Sequence, residues 1–267
     1  AITLMVMVTS SATISGDDND NTLFGTEGAE AIFGLGGDDV LYGNGGNDYL
    51  DGGAGYNQLH GGDGDDVLVT TGAYGDLYGD SGNDTLIGSI WGSNLDGGSG
   101  DDRLVGGEGF NYFFDSEGAN VFVGGPNGNY FYLYGWNWTA DLQVTAGAGI
   151  DILSVYDSAR WHTFTAVVSG FTPGSGGDIL NFEAFMDDAA ANGYYTAGNP
   201  FGLGYLRLQA AGDDTLVQGD LDGASGSLYD WKTLCILKNV ATTSIVDANI
   251  EPANLFPLDG HTDPGID

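Results

Sequence analysis

Positive charge is almost missing from this chain. Its 267 residues hold five Lys and Arg against 38 Asp and Glu, a formal net charge of −33. The five are Arg103, Arg160, Arg207, Lys232 and Lys238, so residues 1–102 have no basic side chain while carrying 18 acidic ones. Phosphate backbones and anionic membrane surfaces repel such a polyanion, which excludes nucleic acid as a partner. Cysteine is limited to Cys235, inside Thr233-Leu234-Cys235-Ile236-Leu237. A lone thiol excludes an internal disulfide and reads as a buried strand residue. No run approaches the roughly 18 apolar residues of a transmembrane helix. Catalytic signatures are missing as well. His60, His162 and His261 fall in no H-E-x-x-H spacing, no G-x-S-x-G elbow occurs, and carboxylate pairs are too common here to mark an acid and a base. The chain reads as non-enzymatic. Disorder is excluded in turn by 42% hydrophobic and 12% aromatic residues.

What is abundant is glycine, 48 residues of it, and it is periodic. From Gly16 to Tyr132 the chain divides into thirteen units of nine residues without an insertion, and Gly61-Gly62-Asp63-Gly64-Asp65-Asp66-Val67-Leu68-Val69 is the cleanest. Position one is glycine in eleven units, the exceptions being Thr70 and Asp115, and position eight is apolar in all thirteen, from Leu23 to Phe131. The glycine-rich half can turn sharply and expose carbonyl oxygens. The last three residues suffice only for a short strand whose middle side chain points inward. One unit is thus a turn and a strand, and two units close one coil. Coils stacked at about 4.8 Å predict an all-β fold, a parallel β-roll with a thin apolar core.

The motif G-G-x-G-x-D-x-U-x, as in Gly97-Gly98-Ser99-Gly100-Asp101-Asp102-Arg103-Leu104-Val105, resembles the calcium-binding repeats of RTX (hemolysin-type) proteins over residues 16–132. That resemblance implies a calcium-loaded β-roll and export by type I secretion machinery. The chemistry points the same way. Calcium takes six to eight oxygen ligands, and each turn offers glycine carbonyls, with Gly43, Gly61, Gly79 and Gly97 among the candidate ligands, plus a carboxylate at position six in many units. The ion also answers the charge, since each one cancels two carboxylates.

Alternate units fall on opposite edges of a two-unit coil. On one edge position six reads Glu30, Asp48, Asp66, Asp84, Asp102, Asn120, a nearly unbroken carboxylate row. On the other it reads Asn21, Asp39, Asn57, Gly75, Ser93, Asn111, Asn129, with Asp39 the single acid and aromatics at position five in Tyr56, Tyr74 and Phe110. A full row of calcium ions is therefore expected on the first edge and one or two ions, near Asp39, on the second. Outward-facing position nine carries Phe33, Asp51, Val69, Ile87, Val105 and Val123 on one sheet, an aliphatic stripe expected to be covered by another segment. On the other sheet it carries Phe24, Tyr42, His60, Tyr78, Asp96, Phe114 and Tyr132. Phe24, Tyr42, Tyr78, Phe114 and Tyr132 admit two readings, stacking on sugar rings or a partner surface, or packing under the rest of the chain.

Residues 1–15 alternate and carry no basic residue, unlike a signal peptide. They read as a strand that caps the roll or is donated to a neighbouring molecule. The missing initiator Met implies processing or a piece of a longer chain. Beyond Tyr132 the period fades and returns out of phase at Gly147–Leu153 and Gly174–Leu180, where Asp151 and Asp178 are further candidate calcium ligands. An amphipathic helix is expected over 181–192 and a hairpin around Gly212-Asp213-Asp214. Residues 170–250 resemble, more loosely, the target domain that follows RTX repeats in type I substrates. The expected organisation is an N-terminal strand or linker (1–15), a calcium β-roll (16–132), a β-rich cap (133–250) and a tail (251–267). Two functions follow. One is a secreted, extracellular or cell-surface structural protein, part of a surface layer, filament or adhesin, that folds on meeting external calcium and self-assembles or contacts polysaccharide. The other is the C-terminal calcium and secretion module of a larger secreted enzyme acting on polysaccharide or protein, although five cations supply no basic face for an anionic polysaccharide.

Overall fold

The computed structural model describes residues 12–115, 117–133, 137–138, 141–155, 165–191, 194, 201, 203–220, 222–223, 231–245 and 250–251. His162, His261, residues 1–11 of the expected N-terminal strand and the tail beyond 251 lie outside them. Two long sheets face each other. The first runs through Ala12–Ser15, Glu30–Phe33, Tyr49–Asp51, Val67–Val69, Thr85–Ile87, Arg103–Val105 and Val121–Val123. The second runs through Thr22–Phe24, Val40–Gly45, Asn57–Asp63, Gly75–Ser81, Ser93–Asp96, Asn111–Phe114 and Asn129–Leu133. All of these strands are parallel, and the register advances by one two-unit coil at each step: Ile32 lies beside Leu50, then Leu68, Leu86, Leu104 and Phe122. This is the parallel β-roll that the nonapeptide period predicts.

The local causes are visible in each coil. Triplets such as Val67-Leu68-Val69 have β-branched flanks that favour a pleated strand, and the pleat aims the central residue inward. Position eight is fully buried from Ile32 through Phe131, while Leu23 in the terminal coil is only partly so. Turns on the carboxylate edge pass twice through left-handed conformations. At position four Gly64, Gly82 and Gly100 have φ of 134°, 134° and 132°, which only glycine adopts without strain. At position two Asn44 and Asp80, at 72° and 70°, occupy the milder region that Asn and Asp tolerate.

Both sheets continue past Leu133 with longer coils. Phe122 pairs with Val144 and Phe131 with Leu153, each a longer step than two nonapeptide units, and the step from Leu153 to its partner Leu180 is longer still. Stacked Phe113 and Phe131 rings, 4.7 Å between centroids, fill the core where the coils widen. Between Ile179–Asn181 and the last parallel strands come the helix Glu183–Ala191 and an antiparallel hairpin, Leu206–Ala211 with Asp214–Gly219. The helix buries Phe185, Met186 and Ala189, the amphipathic face expected from the sequence. Cys235 lies in Lys232–Leu237 between Ala166 and Val217, wholly buried, and burial pushes its thiol up to about 12.

Candidate metal centre

The carboxylate row forms a continuous ladder on one edge. Oδ1 of Asp48 accepts the backbone N–H of Glu30, Asp66 that of Asp48, Asp84 that of Asp66, and Asp102 that of Asp84, at 2.6–2.7 Å. Asn120 ends the series by accepting from Asp102 at 2.8 Å. Each carboxylate thus ties its coil to the preceding one through one oxygen. The other oxygen, Oδ2 of Asp48, Asp66 and Asp84, is buried with no hydrogen-bond partner, whereas the Asp102 carboxyl meets that of Asp115. Glu30 at the open end differs, because its two oxygens accept from the Thr26 backbone N–H and hydroxyl.

A row of buried, half-satisfied carboxylates is costly without counter-charge, because each unpaired oxygen forfeits its hydration. Burial raises the carboxyls of Asp48 and Asp102, and it pushes Asp66 up to about 7 and Asp84 to about 8. No protein cation relieves them: among the described residues the one Lys or Arg ion pair is Lys238 with Asp214, in the hairpin region. The orphan oxygens all face the position-one glycines. A Cβ added to Gly43, Gly61 or Gly79 would lie under 3.0 Å both from Oδ2 of Asp48, Asp66 or Asp84 and from the carbonyl oxygen of Gly61, Gly79 or Gly97 in the next coil. Anionic oxygen and backbone carbonyl therefore converge on spaces that only glycine leaves open. Hard oxygen donors of this kind suit calcium. Among the described residues no three His, Cys, Asp or Glu side chains gather at one point.

Substituting one of these glycines tests the cradle. Gly79→Ala should cost about 1–3 kcal/mol in calcium-saturated urea unfolding, the usual range for overpacking, because the Gly97 carbonyl is backbone and cannot step aside. Gly28→Ala, whose methyl would meet nothing closer than 3.7 Å, should change stability by less than about 0.5 kcal/mol.

The opposite edge is built differently. Asn111 donates its side-chain amide to the Gly107 and Gly109 carbonyls at 3.2 and 2.8 Å, Asn129 to Gly125 at 3.0 Å, and Asn57 more loosely to Gly53 and Gly55. These amides fill the turn carbonyls that a cation would otherwise take. Asp39 is the acid on this edge, holding the Asn21 N–H through Oδ1 and leaving Oδ2 buried and unpartnered. Asp151 and Asp178, both fully buried, extend the ladder: Asn129 donates to Asp151, and the Asp151 N–H donates to Asp178. Asp178 engages its second oxygen with the Thr172 N–H, whereas Oδ2 of Asp151 has no hydrogen-bond partner and burial pushes that carboxyl to about 6.

On the outer face of the second sheet Phe24, Tyr42, His60 and Tyr78 stack ring on ring, with centroids 5.0, 4.9 and 4.7 Å apart. Phe114 and Tyr132 stack separately at 4.4 Å. Ring faces in these stacks are covered by one another, so the broad face open to solvent is that of Phe24, which is 60% exposed. Sequence reasoning passed over two features here. Tyr56 and Tyr74 at position five donate their hydroxyls to Asp76 and Asn94, joining a network with an Asn94–Asp76 bond of 2.8 Å. Asp115, an exception to the position-one glycine, is buried against Asp102, the two carboxyls sharing a hydrogen bond; burial and the neighbouring Asp102 charge push its carboxyl to about 9. The available signal was the pairing, within one unit, of a gained acid at position one and a lost acid at position six.

The family model for the RTX calcium-binding nonapeptide repeat matches residues 15–50, 24–59, 42–72, 60–90 and 96–130. No curated protein matches the sequence. Two solved structures are similar at low scores. The AlgE6R3 subunit of the Azotobacter vinelandii mannuronan C5-epimerase is 18% identical, over 98% of this chain and 98% of that one, with a TM-score of 0.24. The extracellular lipase LipA of Serratia marcescens is 18% identical over 91% of this chain, with a TM-score of 0.21, and this chain spans 40% of its length. At those scores neither likeness bears on function.

Proposed function

We propose that this chain, which carries RTX calcium-binding nonapeptide repeats, is an extracellular rod whose folding is switched on by calcium and whose role is structural. The observation that carries this reading is the row of buried carboxylates, Asp48, Asp66, Asp84 and Asp102, each with one oxygen tied into the ladder, the second oxygen of the first three facing a glycine cradle with no partner. These side chains, with backbone carbonyls such as those of Gly61, Gly79 and Gly97, would hold the ions, and calcium bound there supplies the positive charge that residues 1–102 lack. Where calcium is scarce the carboxylates repel and the repeats stay unfolded, a state suited to passage through a type I secretion channel. Where calcium is millimolar, binding free energy adds to folding free energy and the coils stack. The chain's own chemistry is positional, and no catalytic role is assigned to it.

A second reading, the calcium and secretion module of a larger secreted enzyme, is favoured by one feature. Among the described residues nothing pairs with the outer edges of Ala12–Ser15 and Thr22–Phe24. A second copy could add there, and so could an upstream repeat. Size-exclusion chromatography with light scattering, run along a calcium titration, separates the two. Compaction followed by growth in mass supports the structural role with self-assembly. Compaction to a lasting monomer supports the module. A chain whose hydrodynamic radius ignores calcium would refute both.

A further inference from the structure

One outer face of the roll is neutral in a chain whose net charge is −33. In the first sheet, over the strands from Ala12–Ser15 to Val121–Val123, the outward positions seven and nine hold one acid, Asp51, and one base, Arg103. Arg103 is the only Lys or Arg within residues 16–132. It is exposed, and among the described residues it forms no ion pair. Between the two charges lie Val67, Val69, Thr85 and Ile87, outward and partly exposed, while Leu68 and Leu86 between them are buried. Among the described residues no other segment seals this stripe. The second sheet is unlike it, carrying Asp76 and Asp96 at outward positions and no Lys or Arg over the same coils.

The placing of the two charges selects a partner. At position seven Tyr49 lies beside Val67, then Thr85 and Arg103, and at position nine Asp51 lies beside Val69, then Ile87 and Val105. Asp51 and Arg103 therefore stand three coil steps apart, about 14 Å at strand spacing, with the 67–69 and 85–87 strands centred between them. A second copy laid face to face, turned about a two-fold axis running along the strands through that centre, meets the first in reverse coil order. Arg103 of each copy then comes over Tyr49 and beside Asp51 of the other, and the aliphatic side chains meet in the middle. Such a contact is isologous, so each pair occurs twice. An axis along the coil stack would instead set Arg103 on Arg103 and Asp51 on Asp51, which like charge opposes.

We infer that this face pairs two copies of the folded chain, aliphatic centre against aliphatic centre, with reciprocal Arg103–Asp51 contacts at both ends. The inference rests on the calcium-folded roll proposed above, because only stacked coils bring these side chains into one face, and it adds the surface through which copies associate. Two chains of net charge −33 repel, so close approach favours a face whose own charges cancel and are complementary on reversal. Burial of the β-branched side chains supplies the attraction, and the two charges set the register. A strip three residues wide is narrow beside the roughly 800 Å² per partner of a standard interface, so the pair forms reversibly.

The test is sedimentation velocity of the full chain in saturating calcium over a concentration series. The parent should pass reversibly from monomer to dimer. Arg103→Asp and Asp51→Arg each turn both reciprocal contacts into like-charge ones and should weaken dimerisation about tenfold or more. Mixed in equal amounts the two variants should dimerise as the parent does, because the mixed pair restores opposite charges at both ends. Variants that dimerise like the parent, or a mixture that associates no better than either variant alone, overturn the face. So does a parent that compacts with calcium and stays monomeric, a result that leaves the calcium-folded roll standing. A parent whose hydrodynamic radius ignores calcium removes the roll and the pair together. Should Asp51→Arg fail to fold, Arg103→Asp, a change at an exposed position, decides alone: parental dimerisation overturns the face, and a chain that still folds with calcium but stays monomeric supports it.

Discussion

Chelating calcium at neutral pH should convert residues 16–132 from β-roll to coil, read as loss of the β-sheet signal in far-UV circular dichroism. The magnitudes make this an all-or-none effect. Asp66 and Asp84, raised to about 7 and about 8, each withdraw about 4 kcal/mol of folding free energy near pH 7.5 relative to a chain in which they titrate normally. Two such groups alone match the roughly 5–15 kcal/mol by which domains are stable, and Asp48, Asp102 and Asp115 add to the deficit. Calcium at a hundredfold excess over Kd restores about 2.7 kcal/mol per site and removes the cause as well, since the orphan oxygens acquire a ligand. A calcium-free chain that keeps its full β signal at pH 7.5 would refute the switch.

Acid should substitute for calcium. A carboxyl whose folded-state pKa is raised contributes stability that is complete below its unfolded value near 4 and is lost as pH climbs through the folded value. The relevant window is set by Asp66 at about 7, Asp84 at about 8 and Asp115 at about 9. The calcium-free chain is therefore expected to gain β structure as pH falls from 9 towards 5. With calcium present the dependence reverses, because the carboxylates must be deprotonated to bind, and the calcium midpoint should rise as pH falls. Parallel pH titrations with and without calcium, followed by circular dichroism, check both signs. A calcium-free chain most structured at high pH would contradict the buried, unpartnered row.

Much of this was readable from residue order because the repeat makes few demands on distant sequence. A short strand with one inward side chain needs only Leu at position eight, and the coil needs only a fixed step of two units. Leu41 and Leu59 meet in space because they are one such step apart in sequence. The carboxylate row and its sparser opposite edge were legible for the same reason. Beyond Leu133 that logic lapses. The steps to Val144, Leu153 and Leu180 have no common period, so pairings such as Val168 with Leu237 could not be counted off.

Side-chain roles divide along the same line. The sequence by itself determined the β-roll, the two unlike edges and the need for cations, since each follows from local period and from charge that sums the same way in any fold. Tertiary structure decided which oxygen of each Asp is tied into the ladder and which is left without a partner, because that depends on the 2.6–2.7 Å contacts between coils. It decided that Asn111 and Asn129 close their turns with amides, and that the aromatic row covers its own ring faces. It also turned Asp115 from an irregularity in a repeat into the partner of Asp102. The two lie in successive units of the same edge's turns, and only the rise of one coil onto the next brings their oxygens to one space.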